Sequence, residues 1–223
     1  MMKRNVMTLV PMVALVPIGA LALALGGVLP GLIAAPAAAH DMKAHEAMAS
    51  TASAPAGDAI MLFDNLGSHS HPIGSPAALT QAYFDQGVRL LFNFNHQAAI
   101  RSFEAALTHD PSCAMCWWGI AFANGPNINM PMMPDAMMPA WQALQMAQSL
   151  KANASEAERD YIDALAKRYA EKPPEDRSPL NQAFADAMRN VAKKYPNDMD
   201  AQTLYAESLM DTSPWNYWQS DKK

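Results

Sequence analysis

Charge is scarce in this chain: Asp, Glu, Lys and Arg supply 17% of its 223 residues, against 51% apolar. That composition excludes a disordered acidic or basic tail, which is built from charge and holds little apolar surface. Basic clusters are missing as well. With 16 basic against 21 acidic residues the formal net charge is -5, which repels phosphate backbones, so no nucleic-acid partner is expected. After Gly74 no Val/Ile/Thr stretch alternates over the length of a strand, and that absence excludes a sheet-based fold. Catalytic signatures are absent too: there is no Gly-x-Ser-x-Gly elbow, no His-Glu-x-x-His pair and no phosphate-binding glycine loop. The expectation is a protein that is not an enzyme and needs no cofactor.

What is present begins with a long apolar run. Lys3 and Arg4 precede Val6 to Ile33, and the run ends in the small residues Ala34 to Ala39. A positive start, an apolar middle and a small-residue end make the pattern of a secretory signal. An uncleaved single-span anchor is the alternative, because the run is long enough to span. A mean hydropathy of -0.09 leaves the rest too polar for a multi-span membrane protein. Cleavage after Ala39 leaves 184 residues with a net charge of -7, and places them in the periplasm or exterior of a bacterium.

The expected organisation is a signal over 1–39, a flexible leader over 40–58, a short segment with a turn over 59–76, helical repeats over 77–212, and a tail or the start of another repeat over 213–223. Helix starts are marked by Ser75-Pro76, by Ser178-Pro179 and by the capping box Ser155 to Glu158. Stops fall at Asp110-Pro111, Gly125-Pro126, Lys172-Pro173-Pro174 and Tyr195-Pro196. These signals predict helices near 76–94, 96–108, 112–124, 135–151, 155–171, 179–195 and 198–212, an all-α fold.

A period of about 34 residues runs through these helices. Tyr83, Gly87, Ala99, Phe103, Ala106 and Pro111 fill every slot of one repeat. A second starts in phase at Trp117 and Ala121, then departs through the inserted loop that begins at Gly125 and runs to Pro131; a third, weaker one closes at Val191 and Pro196. Small residues at these slots let two helices approach, and a bulky aromatic fills the space beside them. On these residues the chain resembles the tetratricopeptide-repeat superfamily from about Ala77 to Asp211. More narrowly, its Phe-Asn-His hairpin, Cys-Ala-Met-Cys before Trp-Trp-Gly, and Gly-Pro-Asn-Ile-Asn loop are similar to a group of exported bacterial repeat proteins of uncharacterised role. Members of that group continue past a Pro-Trp-x-x-Trp segment like Pro214 to Trp218, so the resemblance implies C-terminal truncation.

The resemblance implies an α-solenoid of helix-turn-helix pairs with Phe84, Val88, Phe92, Trp118 and Phe122 on its concave face. Such a face suits an apolar protein segment or peptide, with aromatic anchors; the other reading is core, covered by the leader, the loop or further repeats. Cys113 and Cys116 at a helix start read as a disulfide or buried thiol pair, with thiol-disulfide exchange or metal binding as alternatives. Methionines Met130, Met132 and Met133 in the loop, with His69 and His71, are candidate ligands for copper or another metal, although methionine at helical spacing is also ordinary core filler. Asn95, His96, Asn127 and Asn129 are polar residues the repeat does not require. They read as loop-holding groups that bond neighbouring backbone, or as ligand contacts.

Overall fold

The computed structural model describes residues 60–213 and Trp215. The expected signal and leader, and most of the expected tail, lie outside the described residues. Those that are described form seven α-helices and no strand: α1 (Ala78–Phe92), α2 (His96–His109), α3 (Ala114–Ala123), α4 (Met137–Leu150), α5 (Glu156–Leu165), α6 (Ser178–Lys194) and α7 (Met199–Met210). No described helix is long and apolar enough to cross a membrane. The apolar run from Val6 to Ile33 is not among the described residues.

Most helices pack on their neighbours in the chain, α4 mainly on α3 and only slightly on α5, and α1 also touches α3, as α3 touches α5. Helix α3 is apolar on every side, and all its residues but Trp117 are buried, as expected for a helix surrounded by others. At its centre, the fully buried ring of Phe103 lies between two glycines. A Cβ added at Gly87 would stand 2.4 Å from that ring, and one at Gly119 2.7 Å. The glycines therefore set how closely α1 and α3 approach α2.

Local signals explain most helix ends. Ser155 accepts from the Glu158 backbone N–H while Glu158 accepts from that of Ser155, completing the capping box of α5. Asn95 Oδ1 accepts from the Ala98 N–H at 3.4 Å to start α2, and the turn before it is made by Phe94 in a left-handed conformation at φ 58. Three expectations need correction. Ser178 does not cap α6: it is the first residue of the helix, whose N-cap is Arg177 with no side-chain cap bond. Ser75 does not cap α1, which begins at Ala78 without a side-chain cap; its hydroxyl instead donates to Asp110 Oδ2 at 2.5 Å, tying the entry of α1 to the exit of α2. Helix α5 stops at Leu165 rather than reaching 171. Tight turns at Lys167 and Arg168 send the Arg168 side chain into the interior, where it is fully buried.

Candidate functional site

The five residues expected on an open concave face do come together, but inside the molecule. Phe84, Val88, Trp118 and Phe122 are at most 5% exposed, and Phe92 is half-buried. Trp118 packs on Phe122 at 5.3 Å and edge-on against Tyr161 of α5 at 5.8 Å between ring centroids. The space left among them is about 10 Å³, room for no more than a single water. Closure comes from α5, from Asp200 and Leu204 of α7, and from the chain's own residues before α1. His71 lies 6.1 Å from the Phe84 ring and His69 6.0 Å from that of Phe92.

This preceding stretch, residues 60–74, is a strap without secondary structure, bent at Asp64 to Leu66, at Ser68 and at Gly74, with Gly67 at φ 81, and held by its main chain. Gln86 is 1% exposed; its Oε1 accepts from the Phe63 N–H at 2.7 Å and its Nε2 donates to Met61 O at 3.0 Å. Gln81 repeats the arrangement further along, accepting from Ile73 N–H at 3.0 Å and donating to His71 O at 2.9 Å. Asp85 accepts from His71 N–H at 3.0 Å, and Arg89 Nε donates to His69 O at 2.6 Å. From α5, Glu158 accepts from Gly74 N–H at 2.8 Å. Four polar residues on the inner side of α1 thus satisfy a backbone that has no secondary structure of its own. Sequence reading singled out neither Asp85 nor Gln86, because what they bond lies outside their own helix.

The strap carries His69 and His71 to the start of α7. His71 Nδ1 is 2.7 Å from Asp200 Oδ2, and His69 Nε2 is 3.0 Å from Asp200 Oδ1, so one carboxylate meets both imidazoles. Asp198, the N-cap of α7, accepts from the backbone N–H groups of Asp200 and Ala201 and from the Tyr161 hydroxyl at 2.7 Å. Donor atoms of His71, Asp198 and Asp200 all lie within 4.8 Å of one another. Burial disfavours a charged His71, but its hydrogen bond to Asp200 and the charges of Asp200, Asp198 and Glu158 outweigh that and hold its pKa above the ordinary value. Burial, then the bond to Asp198, pushes the Tyr161 phenol far up. Sequence reading named the two histidines and missed the two aspartates and Tyr161. The matching signal was the i, i+2 spacing shared by His69/His71 and Asp198/Asp200, hidden because Asp198 reads as an ordinary cap.

The other candidates lie in different surroundings. Cys113 and Cys116 form a disulfide with a Cα–Cα distance of 5.4 Å. Cys113 Sγ also accepts from Cys116 N–H at 3.1 Å, and the pair is at most 6% exposed, which restricts attack by an outside thiol. A cavity of about 100 Å³, lined in part by Ser75, Asp110, Cys113 and Glu158, lies beside it. In the inserted loop, Asn127 Oδ1 accepts from Asn129 N–H at 2.9 Å and the backbones of Asn127 and Met130 pair. Met132 is buried among the core residues at 7% exposure, while Met130 and Met133 are each 43% exposed. His96, at the first turn of α2, is kept below the ordinary histidine pKa by burial. No protein-family model, curated protein or solved structure matches this chain.

Proposed function

We propose that the protein is an exported scaffold of tetratricopeptide-like helical repeats, a short α-solenoid without chemistry of its own, whose inner face grips a peptide segment. Packing of most helices on their neighbours in the chain, with contacts between alternate helices and glycines at Gly87 and Gly119 around Phe103, supports the repeat reading. The amino-terminal signal pattern supports export to the bacterial periplasm or exterior, and a disulfide at Cys113–Cys116 suits an oxidising compartment.

One observation carries the binding reading: Gln81, Asp85, Gln86 and Arg89 address main-chain N–H and C=O groups of the strap. Such a grip holds a chain segment largely without regard to its side chains. In this chain the gripped segment is its own residues 60–74, and a protein partner enters by offering a competing segment. The test uses a labelled peptide spanning residues 58–76 and a protein carrying Phe63→Pro and Ile73→Pro, which delete two strap amide donors. The loosened protein is expected to bind the peptide at least tenfold more tightly than wild type, and to lose that gain when Gln81→Ala and Gln86→Ala are added. Equal, negligible binding by all three proteins would overturn the proposal. Amino-terminal sequencing of protein exported by a bacterial host checks the signal, with His40 as the expected first residue.

A further inference from the structure

Carboxylates crowd the point where the strap meets α7, and basic side chains do not. Asp85 is 7% exposed, Glu158 6% and Asp200 8%, with half-buried Asp198 beside them. Among the described residues, no Lys or Arg forms an ion pair with any of these four; the ionic contacts of Asp200 are His69 and His71 alone. Asp85 Oδ1 accepts from the His71 N–H and from Gln81 Nε2, and the two Glu158 oxygens accept from the Gly74 and Ser155 N–H groups. Buried carboxylates are ordinarily paired with a cation or coordinate a metal, and the ligand-competent groups here are two imidazoles and the two aspartates that face them.

We propose that His69, His71, Asp198 and Asp200 bind one borderline divalent transition-metal ion, with Zn²⁺ the best match. The donor set is two nitrogens and two oxygens, which suits zinc, cobalt or nickel. Calcium and magnesium ask for oxygen alone, and Cu(I) for sulfur. A divalent ion held by two neutral imidazoles and two carboxylates makes an electrically neutral site. Ligand atoms about 2.0–2.2 Å from a tetrahedral zinc stand roughly 3.4 Å apart. Within the trio His71, Asp198 and Asp200, whose ligand atoms lie within 4.8 Å of one another, the His71 Nδ1–Asp200 Oδ2 pair at 2.7 Å opens slightly; His69 Nε2, 3.0 Å from Asp200 Oδ1 but outside that trio, swings in as the fourth ligand. On binding, the ion takes the lone pairs of His71 Nδ1 and His69 Nε2, each neutral imidazole carries its single proton on its other nitrogen, and any further proton displaced from the contacts with Asp200 passes to solvent.

The consequence reaches beyond the cluster. His71 and Asp200 are 129 residues apart, so the ion fastens the strap to the helix at the far end of the described chain and strengthens the hold on the inner face. Metal then acts as a latch: bound, it keeps the strap in its groove; removed, it leaves the strap to hydrogen bonds alone.

The experiment takes tag-free protein stripped with chelator and titrates it with Zn²⁺ by calorimetry, with Co²⁺ as a spectroscopic probe. Wild type is expected to bind one equivalent and to show the visible absorption of tetrahedral Co²⁺. Saturation at about 100 times the dissociation constant raises Tm by roughly 5–10 °C. Asp200→Asn and the pair His69→Gln, His71→Gln each weaken Zn²⁺ binding at least 100-fold, whereas His40→Gln with His45→Gln, in the leader, leaves it unchanged. In wild type alone, Zn²⁺ protects His69 and His71, and not His109, from acylation by diethylpyrocarbonate mapped by mass spectrometry, a readout that does not depend on any variant folding. Absence of binding, binding that survives Asp200→Asn, or protection confined to other histidines would overturn the assignment.

Discussion

Replacing Arg168 by methionine is expected to be among the most damaging single changes available in this protein. The Arg168 side chain is 0% exposed and its partner Asp211 4%. Its Nη2 donates to the Asp211 carboxylate and, at 2.8 Å, to the carbonyl of Pro126 in the inserted loop. Its guanidinium also lies over Phe122 at 5.0 Å and Phe184 at 4.6 Å. One side chain therefore joins α3, the loop, α6 and the end of α7. Burial raises the Asp211 carboxyl, and Arg168 is the largest influence pulling it back toward the ionised form. Removing one member of a buried ion pair strands the other and costs about 3–5 kcal/mol, or a Tm drop of roughly 6–20 °C for a chain of this size. Urea unfolding followed by far-ultraviolet circular dichroism measures the loss. The double change Arg168→Met with Asp211→Leu removes both charges, and is expected to return to within about 1–2 kcal/mol of wild type, the remainder coming from the unpaired Pro126 carbonyl. The reasoning is refuted if Arg168→Met costs under about 1 kcal/mol, or if the double variant is no more stable than the single.

Three further outcomes are expected. Gly87→Ala improves helix propensity by about 1 kcal/mol, yet its Cβ would lie 2.4 Å from a Phe103 ring that Gly119 blocks on the other side. A net loss of about 1–3 kcal/mol is expected from overpacking, relieved by adding Phe103→Leu; a stabilised Gly87→Ala protein would refute the packing. Ser155→Ala removes the hydroxyl that caps α5 and is expected to cost about 1 kcal/mol, read as a shift in urea midpoint; a midpoint equal to that of wild type rejects the cap. For His96, burial depresses the folded pKa below 6.5, so the unfolded chain binds its proton first. Its contribution to stability is then held above that value and lost as pH falls below it. His96→Gln is expected to flatten the fall in urea midpoint between about pH 7.5 and 5.5, and identical slopes in the two proteins would discard the idea.

The particular residues show which features were legible from sequence. Ser155 and Glu158 are three apart, and a capping box works over that reach, so reading it needs nothing but neighbours in sequence. The same holds for Asn95 at the start of α2 and for Asp110-Pro111 at its end. Gly87 and Phe103 became a pair through the repeat period, which converts spacing along the chain into packing across a hairpin. Ser75 misled because a serine before a proline looks the same whether its hydroxyl serves its own helix or, as here, Asp110 at the exit of another. Helix α5 was drawn too long because the apolar face runs on to Tyr169 although the backbone turns away at Lys167.

By itself, the sequence determined an all-helical chain, the places where most helices begin and end, and an apolar inner side built on Phe84, Trp118 and Phe122. These follow from periodicity and capping, which act over one or two turns. Only the tertiary structure decided what lies on that inner side: the strap, its grip by Gln81, Asp85 and Gln86, the meeting of His69 and His71 with Asp200, and the burial of Arg168 beside Asp211. Each of those depends on groups from 8 to 129 residues apart in the chain, mostly across different elements. No local preference of a histidine or an aspartate records which distant side chain the fold will set against it.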